Sequence, residues 1–212
     1  MSKKGFRIFP QELIGNLYHV GTLDITQKSN FSHEGNGLSV SNCPDAWRQI
    51  TKGVTNGKTF MLQKCGMKLL DFYMLTAAEQ TKIQNWAVSN GYVKETTLYK
   101  SITWDEFGEE FFSLYESYDE AFAEADEEVD RVRPVDGLLP TQKLKDISLV
   151  RIELLQVRDF ITSLYAEQVL DYDGIYWDEL LDVGIYSAPR GVIFNSKLPS
   201  FTVTCIAPDS KQ

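Results

Sequence analysis

Short apolar runs bounded by turn-forming residues crowd both ends of this chain, and that distribution limits its fold more than any other feature. "FRIFP" (6–10), "NLYHVG" (16–21) and "GLSVS" (37–41) lie near the start. "YDGIYWDE" (172–179), "RGVIFNS" (190–196) and "SFTVTCIA" (200–207) lie near the end. Runs of this length, rich in β-branched and aromatic residues, read as strands. "KTFMLQK" (58–64) and "KLLDFYML" (68–75) are further strand candidates. Strands at both termini can pair into one sheet system around a helical middle, which predicts an α+β fold.

The helices announce themselves by their ends. "PDAWRQI" (44–50) opens with Pro44 at the first helical position, where its missing N–H costs nothing. In "TAAEQTKIQNWAVSN" (76–90), Thr76 and Glu79 have capping-box spacing, and Asn90-Gly91 supplies a stop. The segment 105–130 holds twelve acids and no base, with Phe111, Phe112, Tyr115, Tyr118 and Phe122 at helical spacings. It reads as an amphipathic helix with its aromatic stripe packed inward, or else a docking face for a basic partner. "RPVDGLLPT" (133–141) reads as the clearest break, with Thr141 a candidate N-cap. Residues 141–170 then look mostly helical, interrupted by a strand near "SLVRIELL" (148–155). A chain of 212 residues fits a single domain, here with an acidic helical insertion at about 104–140.

Composition removes several functions. A net charge of −9 repels phosphate backbones and gives no dedicated nucleic-acid clamp. Cys43, Cys65 and Cys205 are scattered, which fits neither a disulfide framework nor a structural zinc site. His19 and His33 are the only histidines, so no metal site is expected. No run reaches the roughly 18 to 20 apolar residues of a membrane span, and no apolar core of a signal peptide follows Lys3 and Lys4. The expectation is a soluble, cytoplasmic protein.

The residue types that carry chemistry gather in three places. His19 ends a strand-like run beside Val20, Gly21 and Thr22, where a glycine lets a ligand approach the backbone closely. Ser39 and Ser41 lie on the second run, after a glycine loop that matches neither a Walker nor a Rossmann fingerprint. Trp177, Asp178 and Glu179 end the run at 172–179. Carboxylates beside aromatic rings can bond sugar hydroxyls and stabilise positive charge developing on a ribose carbon. Arg190 is a candidate phosphate or carboxylate partner.

In order and spacing these stretches resemble the ADP-ribosyltransferase superfamily, in its histidine-bearing, diphtheria-toxin-like branch. "LYHVGTLD" looks like that family's "LYHGT" first strand, and "LDYDGIYWDELLD" is similar to its "GYDGI" junction before the acidic position. "SHEGNGLSVSNCPDAW" stands where the family has a glycine turn, a second strand and a helix; "SAPRGVIFNSKLPSFTV" looks like the closing hairpin. The matches cover roughly residues 6–60 and 155–206. The chain departs from the family at Val20, where a glycine is usual, and at Arg190, where a glutamate often stands; "GLSVS" lacks the usual tyrosine.

The resemblance implies split antiparallel β-sheets with flanking helices around a pocket for bent NAD. His19 would then bond the adenosine ribose, and the backbone around Val20, Gly21 and Thr22 the nicotinamide amide. Ser39 or Ser41 would assist, Trp177, Tyr176 or Trp47 would supply ring stacking, and Arg190 would meet a charged group. Asp178 or Glu179 would be the catalytic acid. It also implies a mono-ADP-ribosyltransferase acting on a macromolecular acceptor, protein or nucleic acid, with NAD as substrate and no metal. Such a protein suits a bacterial or phage toxin or defence effector, with an antitoxin or regulator docking on the 105–130 segment. The alternatives are a catalytically silent binding or inhibitor protein of this fold, an NAD glycohydrolase, or an RNA 2′-phosphotransferase, the last of which calls for a basic cleft.

Overall fold

The computed structural model describes residues 5–23, 35–50, 58–104, 110–123, 132–179 and 188–206. In chain order the elements are α1 (Gln11–Ile14), β1 (Leu17–Gly21), β2 (Gly37–Val40), α2 (Pro44–Ile50), β3 (Lys58–Gln63), β4 (Leu69–Asp71) and α3 (Ala77–Ser89). They continue with β5 (Val93–Trp104), β6 (Glu110–Tyr115), α4 (Tyr118–Ala123), β7 (Val132–Pro140), α5 (Gln142–Ile147) and α6 (Val157–Gln168). The chain closes with β8 (Gly174–Trp177), β9 (Arg190–Phe194) and β10 (Thr202–Ile206). Two compact units result: residues 1–82 with 162–212, and residues 83–161.

The first unit holds two sheets, ordered β1-β3-β10 and β2-β9-β8-β4. All pairings are antiparallel except β4 with β8, which is parallel. Terminal strands therefore do share sheets with early ones, as the distribution of apolar runs predicts. A single bridge, Tyr18 to Ser41, joins β1 to β2 through two backbone hydrogen bonds of 2.8 Å, and past it the two strands part. One apolar cluster draws on both sheets: Leu17 and Leu62 from the first, Leu38, Val40, Leu69, Tyr176 and Ile193 from the second. Period-2 alternation explains that membership, because Leu38 and Val40 share a face of β2 while Ser39 turns to the other. Gly174 is glycine for want of room. A methyl there would drive into the Val192 carbonyl oxygen on the paired strand.

α2 starts at Pro44 as its sequence predicts, and its Arg48 guanidinium donates to the Thr59 hydroxyl of β3. α3 carries the full capping box. Glu79 accepts from the Thr76 N–H at 2.9 Å, and the Thr76 hydroxyl oxygen accepts from the Glu79 N–H at 3.3 Å.

The second unit corrects the reading of the middle of the chain. Its centre is an antiparallel sheet ordered β6-β5-β7, so the acidic segment is not one helix. Residues 110–115 form a strand, and only 118–123 are helical; 105–109 and 124–131 lie outside the described residues. Phe111, Phe112 and Tyr115 satisfy strand chemistry as well as helical spacing, and a continuous ladder to β5 decides for the strand. "RPVDGLLPT" is not a break but most of β7, which pairs with β5 from Val132 to Pro140. Its prolines sit on an outer strand of the sheet, where a missing N–H is tolerated. The strand expected near "SLVRIELL" is absent: 149–153 are irregular and 154–156 form a 3-10 turn. Thr141 does precede α5, but its hydroxyl donates to the Gly91 and Tyr92 carbonyls (2.7 and 2.9 Å) instead of capping the helix.

Candidate functional site

The fork where β1 leaves β2 is built around one imidazole. His19 shares a face of β1 with Leu17 and stacks on Phe60, its partner across the ladder on β3, at 6.4 Å and 27°. Its Nδ1 lies 2.8 Å from the Ser39 carbonyl oxygen, so the imidazole reaches across the fork to β2. Its Nε2 lies 3.3 Å from the Thr22 carbonyl oxygen. Both neighbours accept, and a neutral ring donates through only one nitrogen. The shorter contact takes the proton, so Nδ1–H donates to Ser39 and Nε2 keeps its lone pair. Burial holds the His19 pKa below its ordinary value of 6.5, against an upward push from the Ser39 and Thr22 carbonyls, which keeps the ring neutral near pH 7. Nε2 is thus an acceptor beside another acceptor, an arrangement that a ligand hydroxyl would satisfy.

Gly21 completes the fork. Its φ of 147° suits glycine, and a methyl there would stand 3.1 Å from His19 Nε2. Tyr18, His19, Val20, Ser39, Val40, Ser41 and Trp47 line a cavity of about 170 Å³. A cavity of roughly 150 Å³ holds one benzene ring, so this space suits a single heteroaromatic ring. The sequence brings His19, Val20, Gly21, Thr22, Ser39 and Ser41 to this one place. Two of them act differently from expectation. Ser39 contributes its carbonyl, and the Ser41 hydroxyl is committed, donating to the Pro189 carbonyl and accepting from the Cys43 N–H at 3.0 Å. The ring that lines the cavity is Trp47, from the second turn of α2.

The remaining candidates lie where β8 ends and β9 begins. Trp177 and Arg190 are direct partners across β8 and β9 and share a face. Trp177 is only 2% exposed, packed on Phe72 at 5.0 Å with the Arg190 guanidinium 5.8 Å from its ring, so it belongs to the core and offers no stacking platform. Arg190 pairs with Glu179 at 3.0 Å, and the Tyr73 hydroxyl donates to the same carboxylate at 2.9 Å. Glu179 is therefore held on the Trp177 side.

Asp178 acts on different groups. Tyr176 faces the inter-sheet cluster, its ring 4.8 Å from Phe9, and Asp178 follows it by two residues. The Asp178 charge reaches both the Tyr176 hydroxyl and the buried Asp71 carboxyl. Each of these pKa values is raised chiefly by burial and further by Asp178; for Asp71, the Arg7 guanidinium at 3.2 Å pulls back. Of these two neighbouring carboxylates, Glu179 is thus held by Arg190 and Tyr73 while Asp178 acts on Tyr176 and Asp71, and neither is among the residues that line the cavity at His19.

The comparisons leave this geometry standing alone. The chain matches no family model, no curated protein and no solved structure. Among the described residues no helix is long and apolar enough to cross a membrane, and no three His, Cys, Asp or Glu side chains gather as a metal-binding group.

Proposed function

We propose that the protein transfers ADP-ribose from NAD to a macromolecular acceptor, with the His19 fork receiving the nicotinamide end of the dinucleotide. The observation that carries this reading is the neutral His19 ring, fixed by Ser39, which together with Trp47 lines a cavity the size of one ring. In that reading Nε2 accepts a hydrogen bond from a ribose hydroxyl, and the confined backbone at Val20 and Gly21 meets the nicotinamide amide. Asp178 supplies negative charge where the ribose carbon becomes positive as its bond to nicotinamide breaks. Nicotinamide leaves with the bonding electron pair, the acceptor attacks the same carbon, and its proton passes to Asp178 or to water. Glu179 keeps its pairing with Arg190 and Tyr73 and holds the end of β8 in position.

A second reading, a catalytically silent binding protein of the same fold, draws on Arg190, whose guanidinium is engaged by Glu179 where a substrate partner was expected. Incubation with NAD labelled in its ADP-ribose half, together with a cell lysate, separates the two. Transfer of label to macromolecules is the expected result, and intact NAD after long incubation leaves only the silent protein. Release of nicotinamide without transfer identifies a glycohydrolase. Asp178→Asn and His19→Ala are expected to lower transfer by about 10²-fold or more, the scale on which removing one electrostatic stabiliser acts. Glu179→Gln is expected to retain most of the rate; if it is the more damaging variant, the assignment of the acid is wrong.

A further inference from the structure

The outer strand of the second unit's sheet takes no part in the reaction proposed above. β6 stands at the end of the order β6-β5-β7, and among the described residues it pairs only with β5. Every second residue of such a strand directs its backbone N–H and C=O outward with no ladder partner. Proteins usually guard these edges with proline, lysine, a bulge or extreme shortness. "EFFSLY" has no proline or lysine, runs for six residues, and keeps an unbroken register from Trp104↔Glu110 to Tyr99↔Tyr115. Phe111 and Phe112 point to opposite faces and are nevertheless 53% and 45% exposed. Beside them, Tyr118 and Phe122 of α4 stack at 5.9 Å and 16°, both exposed.

Charge selects the occupant. Residues 110–123 carry Glu110, Glu116, Asp119 and Glu120 and no lysine or arginine, inside a 26-residue stretch with twelve acids. Two copies meeting edge to edge would bring two such stretches together, and a nucleic acid would bring phosphates; like-charge repulsion opposes both. A cation is welcome. Lys100 of β5 already sets its ammonium 3.9 Å from the Phe112 ring centroid and 3.5 Å from the Glu110 carboxylate. A lysine-bearing strand on the outer side could repeat that contact on Phe111.

We propose that β6 is a docking strand for a basic, extended segment of another protein, which adds to the sheet as a fourth strand. The test of this proposal does not depend on enzymatic activity. The full chain is titrated with a ten-residue peptide that alternates lysine and valine, and amide hydrogen exchange is followed along the chain. The expected result is slowed exchange at 110–115, with affinity falling at least about tenfold between about 50 and about 300 mM salt. The same peptide with alternate backbone nitrogens methylated, or with glutamate for lysine, is expected to bind at least about tenfold more weakly. Phe111→Ser and the pair Glu116→Lys with Glu120→Lys should weaken binding without lowering Tm, because all three side chains face solvent or are only partly covered. Equal binding of the methylated peptide overturns the proposal, as does protection elsewhere in the chain. A dimer in sedimentation without peptide, or protection of 110–115 by an RNA oligonucleotide, overturns it in favour of a second copy or a nucleic acid.

Discussion

At the scale of single residues, His19 and Gly21 are one device. The imidazole needs the space over residue 21, and the backbone there has a φ of 147°. Gly21→Ala should therefore cost about 1–2 kcal/mol of stability through backbone strain, and displace the imidazole from Ser39. Denaturant unfolding measures the first effect, and the histidine side-chain NMR signal of His19 the second. A variant that keeps both the wild-type midpoint and that signal sinks the idea. His19 also ties stability to pH. The unfolded chain takes up its proton near 6.5, whereas burial holds the folded value lower. Its stabilising contribution is complete above about 6.5 and drains away as pH falls through that value toward the folded one. His19→Gln, which cannot titrate, should lose less Tm than the wild type between about pH 7.5 and about pH 5. An identical loss in both proteins would show that other groups govern acid sensitivity.

Elements reveal which sequence signals carry enough information. The start of α3 needed nothing beyond four residues, because a capping box is local: Thr76 and Glu79 satisfy each other's backbone groups whatever lies nearby. Thr76→Ala should lower stability by about 1 kcal/mol, seen as a drop in Tm of about 2–4 °C. No change at all would mean that water replaces the cap in full. β6 went the other way. "FFSLYESYDEAF" puts aromatics where a helix or a strand could use them, and only the partner strand at Tyr99–Trp104 breaks the tie. β7 was hidden behind two prolines and a glycine that local rules treat as punctuation. Those residues are admissible because β7 lies on the outside of its sheet, a fact of topology rather than of sequence. Trp177 looked like a binding platform because it stands among carboxylates, yet Phe72 and Arg190 cover it. Trp47, the ring that does line the cavity, was visible only as one of several candidates, since helical phase alone does not say which neighbour it meets.

For the whole molecule, charge is the largest asymmetry. The stretch 105–130 takes twelve of the thirty acids, leaving eighteen for the rest of the chain beside all twenty-one bases. The chain is therefore not acidic throughout; it is a slightly basic protein carrying one strongly acidic segment. Crowded like charges destabilise a compact state until salt screens them. Raising sodium chloride from about 20 to about 200 mM should raise Tm, because the Debye length shrinks from roughly 20 Å to roughly 7 Å and the mutual repulsion of like charges is screened. A falling Tm would mean that attractive pairs such as Lys64–Asp173 outweigh the repulsion.

The sequence by itself determined the α+β class, the strands near both termini, the start of α2 and both ends of α3. Each of these follows from short-range periodicity, from a cap, or from a strand whose partner is also strongly marked. Tertiary structure alone decided that Glu179 is held by Arg190 and Tyr73 while the charge of Asp178, its neighbour in the chain, acts on Tyr176 and Asp71. It also decided that Trp177 is core, and that an acidic, aromatic segment begins as an edge strand. Such questions turn on which groups meet across a sheet, and that depends on long-range pairing energies that no local pattern encodes.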